Sequence, residues 1–209
     1  SIVADSPTNN WCTLNPLVVG AVAATYSNGN LTVSRTGGDG YSTCPSTIGV
    51  SSGKWYWEFY PKAAASMQLG LAGNTSTNVW DGGSPGSGNA ECEYHEAGRI
   101  KYNGSYVDST GHVSAYGPGD VLSMTLDMDA QEFSYYLNNV HETTLDFKGE
   151  LLNSTSVFPL ANMYNSGNEV EVNFGQRPFA YDPPAGYLPL CTDNLPEVTV
   201  NPKDNFKAV

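Results

Sequence analysis

This chain of 209 residues has few charged side chains, and positive charge is the scarcest. Asp, Glu, Lys and Arg make up 14% of the residues, against roughly 25% in an average soluble domain. Nine Lys and Arg stand against 21 Asp and Glu, so the formal net charge is −12. Nucleic acids and anionic membrane surfaces bind clusters of basic side chains. We therefore expect neither of them as a partner.

Long apolar runs and paired cysteines are also missing. No segment approaches the ~18 apolar residues that span a bilayer, and the short apolar segment 16–25 predicts a strand. The four Cys form no Cys-x-x-Cys pair and no zinc spacing. A domain of this size folds without cross-links, which favours buried free thiols. The alternative is a Cys12–Cys191 disulfide, because these two residues lie near opposite ends of the domain and a sandwich often brings its termini together.

Motifs for catalysis or cofactor binding do not occur. There is no Gly-x-Ser-x-Gly nucleophile elbow and no Gly-rich phosphate cradle. His95, His112 and His141 have no metal-ligand spacing, so we predict surface or loop positions for them. Asp127 and Asp129 flank a predicted turn, where they would either form the turn or join a calcium site. We favour the turn and predict no metal and no cofactor.

One carboxylate cluster, Glu91, Glu93 and Glu96, has to be weighed as an active site. A glycosidase needs two carboxylates about 5–9.5 Å apart, and Glu91 and Glu93 would share one face of a strand. The Glu-x-Asp-x-x-Glu strand of laminarinase-like sandwiches is absent. We therefore predict a solvated acidic strand edge and no catalytic residue.

Alternating apolar and polar residues predict half-buried antiparallel strands. The clearest cases are 55–60, 122–128, 133–138 and 170–174, and residues 129–131 fit the tip of a hairpin. No segment shows a convincing helical period of 3.6. Many short strands separated by Gly, Asn and Pro favour one antiparallel β-sandwich.

Two long polar connectors, 35–47 and 73–90, are candidates for function, because loops longer than ~12 residues are often functional. Loops of a sandwich cluster at its ends, which predicts one loop-built ligand patch. Its predicted members are Arg35, Tyr41, Trp80, Asp81 and Tyr94. Trp80 would stack on a ligand; the alternative is a plug that packs its loop onto the sandwich.

Six short phrases occur in a fixed order and carry a family resemblance. They are Gly-Lys-Trp-Tyr-Trp-Glu-Phe at 53–59, Gly-Leu-Ala at 70–72, the segment 119–128, the segment 133–139, Phe-Pro-Leu at 158–160 and Val-Asn-Phe-Gly-Gln at 172–176. Over residues 10–191 this order resembles the SPRY domain. The resemblance implies a concanavalin-like jelly roll that binds partners through its loops and has no active site. The Trp-Gly-Arg type of phrase that lines the peptide pocket of eukaryotic members is missing.

The flanking segments 6–16 and 173–196 are similar to those of SPRY-containing structural proteins of tailed bacteriophages. This implies a module of a tail or fibre in the virion, assembled with other virion proteins into an oligomer. Its loops would bind a host-surface glycan or protein. The alternatives are an intracellular adaptor that binds a short peptide and an architectural spacer or decoration domain. We predict a sandwich over 1–192 and a linker or a following module over 193–209.

Overall fold

The structure is a computed structural model, and it describes residues 9–18, 20–38, 40–80, 90–107, 113–147 and 149–196. Within these ranges the chain folds into two β-sheets that pack face to face. The all-β antiparallel sandwich predicted from the alternation is confirmed. In this part of the chain, no helix has the length and apolar character needed to cross a membrane.

The larger sheet has eight strands. In spatial order it contains β1 (Thr25–Ser27), β2 (Thr32–Ser34), β13 (Glu169–Asn173), β4 (Lys54–Ala63), β9 (Leu122–Asp127), β10 (Glu132–Leu137) and β11 (Val140–Asp146), while β14 (Leu188–Pro189) also pairs with β4. Its pairs are antiparallel except that of β14 with β4. The four segments with the clearest alternation became β4, β9, β10 and β13, which confirms that they are strands. The expectation that they are half-buried is wrong for β9, which is buried throughout, and for residues 55–59 of β4.

The smaller sheet has six strands. In spatial order they are β3 (Ser42–Pro45), β12 (Val157–Met163), β5 (Met67–Gly73), β6 (Glu91–His95), β7 (Arg99–Tyr102) and β8 (Ser105–Tyr106). The helical segments of the described ranges are short: α1 (Thr77–Trp80), α2 (Gly149–Leu152) and a 3-10 turn at Thr192–Asn194.

The core lies between the two sheets and is rich in aromatic rings. Trp55, Trp57 and Phe59 of β4 are at most 1% exposed, as their alternation predicts. Tyr135 of β10 reaches across the core and donates a hydrogen bond to the Cys92 carbonyl oxygen at 3.2 Å. Apolar side chains from the facing strands of the two sheets therefore fill the space between them.

In the hairpin between β9 and β10, the hydrogen bonds of Asp127 show whether this residue forms the turn. Its Oδ1 accepts hydrogen bonds from the backbone N–H groups of Asp129 (3.1 Å) and Ala130 (2.9 Å), and its Oδ2 lies 2.7 Å from Lys54 Nζ. Burial alone would raise the pKa of Asp127, but the bonds from Lys54 and the backbone outweigh it and lower that pKa. The carboxylate forms the turn, as the favoured interpretation predicts.

The two flanks of the domain meet. Trp11 forms a β-bridge with Cys191, and the Cys12 N–H donates to the Leu190 carbonyl at 3.0 Å. All four cysteines are nevertheless free and buried, so the favoured prediction of free thiols agrees with the structure. Burial raises the pKa of Cys12 to about 11, and a thiol that stays protonated is a weak nucleophile.

The outer face of β4 is covered by the chain that follows β13, and Glu58 holds it there. The Glu58 side chain is fully buried. Its carboxylate accepts hydrogen bonds from the hydroxyls of Tyr56 (2.9 Å) and Tyr60, and from the backbone N–H groups of Ala180 (2.9 Å) and Tyr181 (3.0 Å). This part of the larger sheet is therefore closed to partners.

Candidate binding face on the six-stranded sheet

Two of the predicted ligand residues, Arg35 and Tyr41, lie near each other. Arg35 is 2% exposed, and its Nη2 donates to the carbonyls of Gly38 (2.5 Å) and Gly40 (2.8 Å). The Tyr41 ring packs against Tyr164 at 4.9 Å, and the Arg35 guanidinium lies 5.9 Å from the same Tyr164 ring. Arg35 therefore holds its own loop in place, and half-buried Tyr41 is the more accessible of the two.

Trp80 lies at the other end of the sheet and packs onto it. Its ring meets Phe158 edge-to-face at 5.0 Å, and its Nε1 donates to the Gly73 carbonyl at 3.1 Å. It is half-buried against a small apolar cluster of Ala72, Val79 and Leu160. The geometry favours the plug over the ligand-stacking ring.

Replacing Trp80 with Ala should therefore lower the melting temperature. A fully buried Trp costs about 3–5 kcal/mol when cut to Ala; for this half-buried ring we expect about 2 kcal/mol, or about 4–8 °C in a domain of this size. Trp80→Phe should lose less, because the ring stays against Phe158 and only the Nε1 bond is removed. An unchanged melting temperature of Trp80→Ala would contradict the plug interpretation and favour Trp80 as a ligand-binding residue.

Tyr94 belongs to the core. It is fully buried, its hydroxyl donates to the Ser114 carbonyl, and its ring meets Tyr116 and Tyr135 edge-to-face at 5.3 Å each. A ligand at the surface cannot reach this ring, so its place in the predicted patch is corrected. Asp81 lies outside the described residues.

The predicted residues do not form one patch. Arg35 and Tyr41 adjoin the end of the sheet where β5 begins at Met67, whereas Trp80 adjoins the end where β5 finishes at Gly73. Six residues of strand at ~3.3 Å each separate these ends by about 20 Å. Sequence position in a loop does not indicate at which end of a sandwich that loop lies.

The acidic cluster is buried, which corrects the prediction of a solvated strand edge. Glu91 is 1% and Glu93 0% exposed. They lie on β6, between β5 and β7, and polar side chains from other segments contact both of them. Glu91 accepts from the Ser76 hydroxyl at 2.6 Å, and Glu93 accepts from Asn162 Nδ2. The shared face predicted for the two carboxylates is confirmed.

The surface or loop position predicted for His95 is also wrong. It lies at the end of β6, is 9% exposed, and its Nδ1 is 2.8 Å from Glu96 Oε2. His141 is exposed on β11 as predicted, and His112 lies outside the described residues. Within the described ranges, no group of three or more His, Cys, Asp or Glu side chains is placed to hold a metal ion.

Burial makes Glu93 an unusually weak acid. Loss of solvent raises its pKa, the nearby charge of Glu91 raises it further, and the Asn162 hydrogen bond and Lys101 act in the opposite direction. Among the described residues, its Oε2 has no hydrogen-bond partner, and buried Gln68 Oε1 and Asn162 Oδ1 on the same face have none either. A proton on Glu93 turns an acceptor into a donor in a place rich in acceptors.

The exposed part of this face is at its far edge, where two cations flank an aromatic ring. Tyr106 of β8 is 42% exposed. The Arg99 guanidinium lies 4.7 Å and Lys101 Nζ 5.9 Å from the centre of its ring. Among the described residues, neither cation has a carboxylate within salt-bridge distance, whereas the exposed cations elsewhere, Lys54, Lys62 and Arg177, all have one.

A cleft of about 210 Å³ adjoins these residues, between β7 and β11 of the other sheet. Arg99 is one of its lining residues. The apolar lining comes from Ile100, Val107, Val113 and Leu145. Val107 is 46% exposed. We call Arg99, Lys101, Tyr106 and this cleft the Tyr106 edge.

The Tyr106 edge was not among the sites predicted from the sequence, although a signal for it is present there. The segment Arg99-Ile100-Lys101-Tyr102 alternates, with two of only nine cations on one face. It is followed by a turn at Asn103-Gly104, where both residues have positive φ (45° and 79°). The turn returns the chain as β8 and places Tyr106 opposite Lys101.

Comparison with known proteins identifies the fold family. A family model described as the SPRY domain matches residues 54–177, more than half of the chain. This chain belongs to the SPRY domain family. SPRY domains are typically non-catalytic protein-interaction modules. The family therefore agrees with the prediction of a binding module.

Solved structures share the SPRY fold. The SPRY domain of human HERC1 is 18% identical, with a TM-score of 0.62 over 79% of this chain and 99% of that one. A human SPRY domain is 18% identical, with a TM-score of 0.52 over 72% of this chain and 94% of that one. The TRIM65 PSpry domain is 15% identical, with a TM-score of 0.58 over 78% of this chain and 92% of that one. At these identities the likeness concerns the fold. These neighbours are eukaryotic SPRY domains, so the phage assignment is a proposal.

Proposed function

We propose that this SPRY domain is a non-catalytic recognition module of a phage tail or fibre, which binds a host-surface molecule through the Tyr106 edge. The proposal rests on the exposed Tyr106 ring between Arg99 and Lys101, two cations that have no carboxylate within salt-bridge distance among the described residues. Tyr and Arg are the residues most enriched where binding energy concentrates in interfaces. By contrast, Trp80 is committed to contacts within the domain.

The placement of the flanks supports a module carried on a longer polypeptide. The Thr192 N–H donates to the Asn10 carbonyl at 3.0 Å, so the first and last described segments lie side by side. The first segment also lies beside β3, because the Asn15 N–H donates a hydrogen bond to the Pro45 carbonyl at 2.8 Å. A domain tethered in this way would project sideways from its neighbours.

The Tyr106 edge lies away from this tether. β3 and β8 are the two end strands of the six-stranded sheet, and five strand spacings of ~4.8 Å put them about 24 Å apart. A module held at β3 would therefore present β8 outward. The domain would have other virion proteins as partners in its assembly. Several copies on one virion would bind the host together, so that individually weak contacts give strong overall attachment.

Immunogold labelling of purified virions tests the assignment. An antibody against the domain should label the tail or its fibres, and added free domain should compete with virions for host cells. Label that is absent from virions but present in infected or uninfected cytoplasm would support the adaptor alternative. Label on the tail without competition at any concentration would support the spacer or decoration alternative.

A further inference from the structure

We infer that the partner meets the Tyr106 edge with a protein segment in which an apolar side chain is followed directly by Asp or Glu. The apolar side chain would enter the cleft, and the carboxylate would pair with Arg99 and Lys101. This inference rests on the proposed function, because it assumes that the Tyr106 edge binds the partner. It goes further in naming the chemistry of that partner.

The charge distribution selects a carboxylate. The chain as a whole carries −12, so it repels anions except where positive charge is locally uncompensated. Arg99 and Lys101 provide the best such place: among the described residues no carboxylate is within salt-bridge distance of either, while Glu93 pairs with Lys101 across β6 and β7 and Glu142 lines the cleft beside Arg99. Complementary charge steers association and rejects wrong partners. A basic segment would be repelled by both cations.

The cleft favours an apolar side chain. Its lining combines four apolar residues, Ile100, Val107, Val113 and Leu145, with Arg99, Glu142 and Thr143, so an apolar side chain that enters it would bury surface against the four apolar residues. Its volume of about 210 Å³ is below the roughly 300–1,000 Å³ of pockets that enclose a whole drug-sized ligand. A single side chain therefore suits it better than a complete small molecule.

The two subsites adjoin, which sets the spacing of the partner's residues. Arg99 lines the cleft and also lies 4.7 Å from the Tyr106 ring. A group in the cleft and a carboxylate at the cations must therefore come from neighbouring residues of the partner.

The strands at this edge each have one side that is unpaired within the described ranges. Among the described strands, β8 pairs only with β7 and β11 only with β10. An end strand offers backbone hydrogen bonds to an extended segment.

Fluorescence anisotropy with four labelled hexapeptides tests the inference on the intact domain. Their central pairs are Leu-Asp, Leu-Asn, Leu-Lys and Gly-Asp, each between Ala-Gly and Gly-Ala. We expect Leu-Asp to bind about tenfold more tightly than Leu-Lys, and Leu-Asn and Gly-Asp to fall between them. The preference for Asp should shrink as salt is raised from 20 to 500 mM, because these cations are partly exposed.

Charge reversal provides the matched variant. Arg99→Glu with Lys101→Glu should reverse the order, so that Leu-Lys binds better than Leu-Asp. Lys62→Glu on the larger sheet is the control, and it should leave the order unchanged. If melting shows that the double variant is destabilised, Arg99→Gln with Lys101→Gln replaces it and should remove the preference without reversing it.

Two outcomes would overturn the inference: no peptide binds the wild type better than Leu-Lys does, or charge reversal leaves the preference for Leu-Asp intact. The proposed function fails separately, if Tyr106→Ala with Val107→Asp leaves attachment to host cells unchanged. Attachment lost in that variant without any charge preference among the peptides would leave the function standing and reject only the partner chemistry.

Discussion

Glu58→Ala should lower the free energy of unfolding by about 3–5 kcal/mol, since it leaves several buried donors without their acceptor. Glu58 is fully buried and accepts from two tyrosine hydroxyls and from the backbone of Ala180 and Tyr181. Two of those donors belong to the segment that covers β4. Limited proteolysis should therefore cut this covering segment earlier than it does in the wild type.

Urea denaturation measures the loss, and Glu132→Ala is the matched control. Glu132 is an exposed carboxylate on β10 of the same sheet, so its removal should change stability by less than about 0.5 kcal/mol. Equal stability of Glu58→Ala and Glu132→Ala would contradict the role given to Glu58.

The second large effect concerns pH and Glu93. Burial and the charge of Glu91 raise the pKa of Glu93 to about 8, while an unfolded Glu titrates near 4.3. Between these values the folded state holds a proton that the unfolded state has lost. The folded state is then penalised as pH rises. The stability linked to this proton is complete below about pH 4.3 and is lost through pH 8.

Glu93→Gln should remove most of this dependence. Gln resembles the protonated acid, because it presents a donor to the buried acceptors Gln68 Oε1 and Asn162 Oδ1. From pH 5 to pH 9 we expect the wild type to lose on the order of a few kcal/mol, and Glu93→Gln to lose much less. Thermal melts at four pH values measure this, with Glu132→Gln as the exposed control. Parallel curves for wild type and Glu93→Gln would show that Glu93 is charged at neutral pH.

Much of the fold could be predicted because it follows from local alternation. Trp55, Trp57 and Phe59 alternate with Tyr56 and Glu58, and that period of two fixes which face of β4 meets the core. What alternation does not specify is whether the other face meets water. Glu58 is buried by Ala180 and Tyr181, more than 120 residues further along the chain.

The same limit explains the errors about β6 and Tyr94. Glu91 and Glu93 share a face, as their spacing requires, yet their spacing does not show whether other parts of the chain cover that face. β6 lies between β5 and β7, and pairing with neighbouring strands is not a local property. Tyr94 alternates with Glu93 on the same strand, so the orientation that turns one outward turns the other into the core.

The candidate site depended on long-range placement even more strongly. Arg35 and Trp80 both stand in polar connectors, but the sheet separates them by about 20 Å. Arg99, Lys101 and Tyr106 are close in sequence, and a hairpin alone brings them together. Which carboxylates of the described residues lie near Arg99 and Lys101 depends on the strands around them, and this could be learned only from the fold.

Attachment of the purified, fluorescently labelled domain to host cells measures whether the Tyr106 edge is the binding face. The wild type is compared with Tyr106→Ala combined with Val107→Asp, whose original side chains are 42% and 46% exposed. The account predicts that this variant loses attachment at least tenfold while its melting temperature changes little, because exposed side chains contribute little to the core. A folded variant that attaches as well as the wild type would show that the Tyr106 edge is not the binding face.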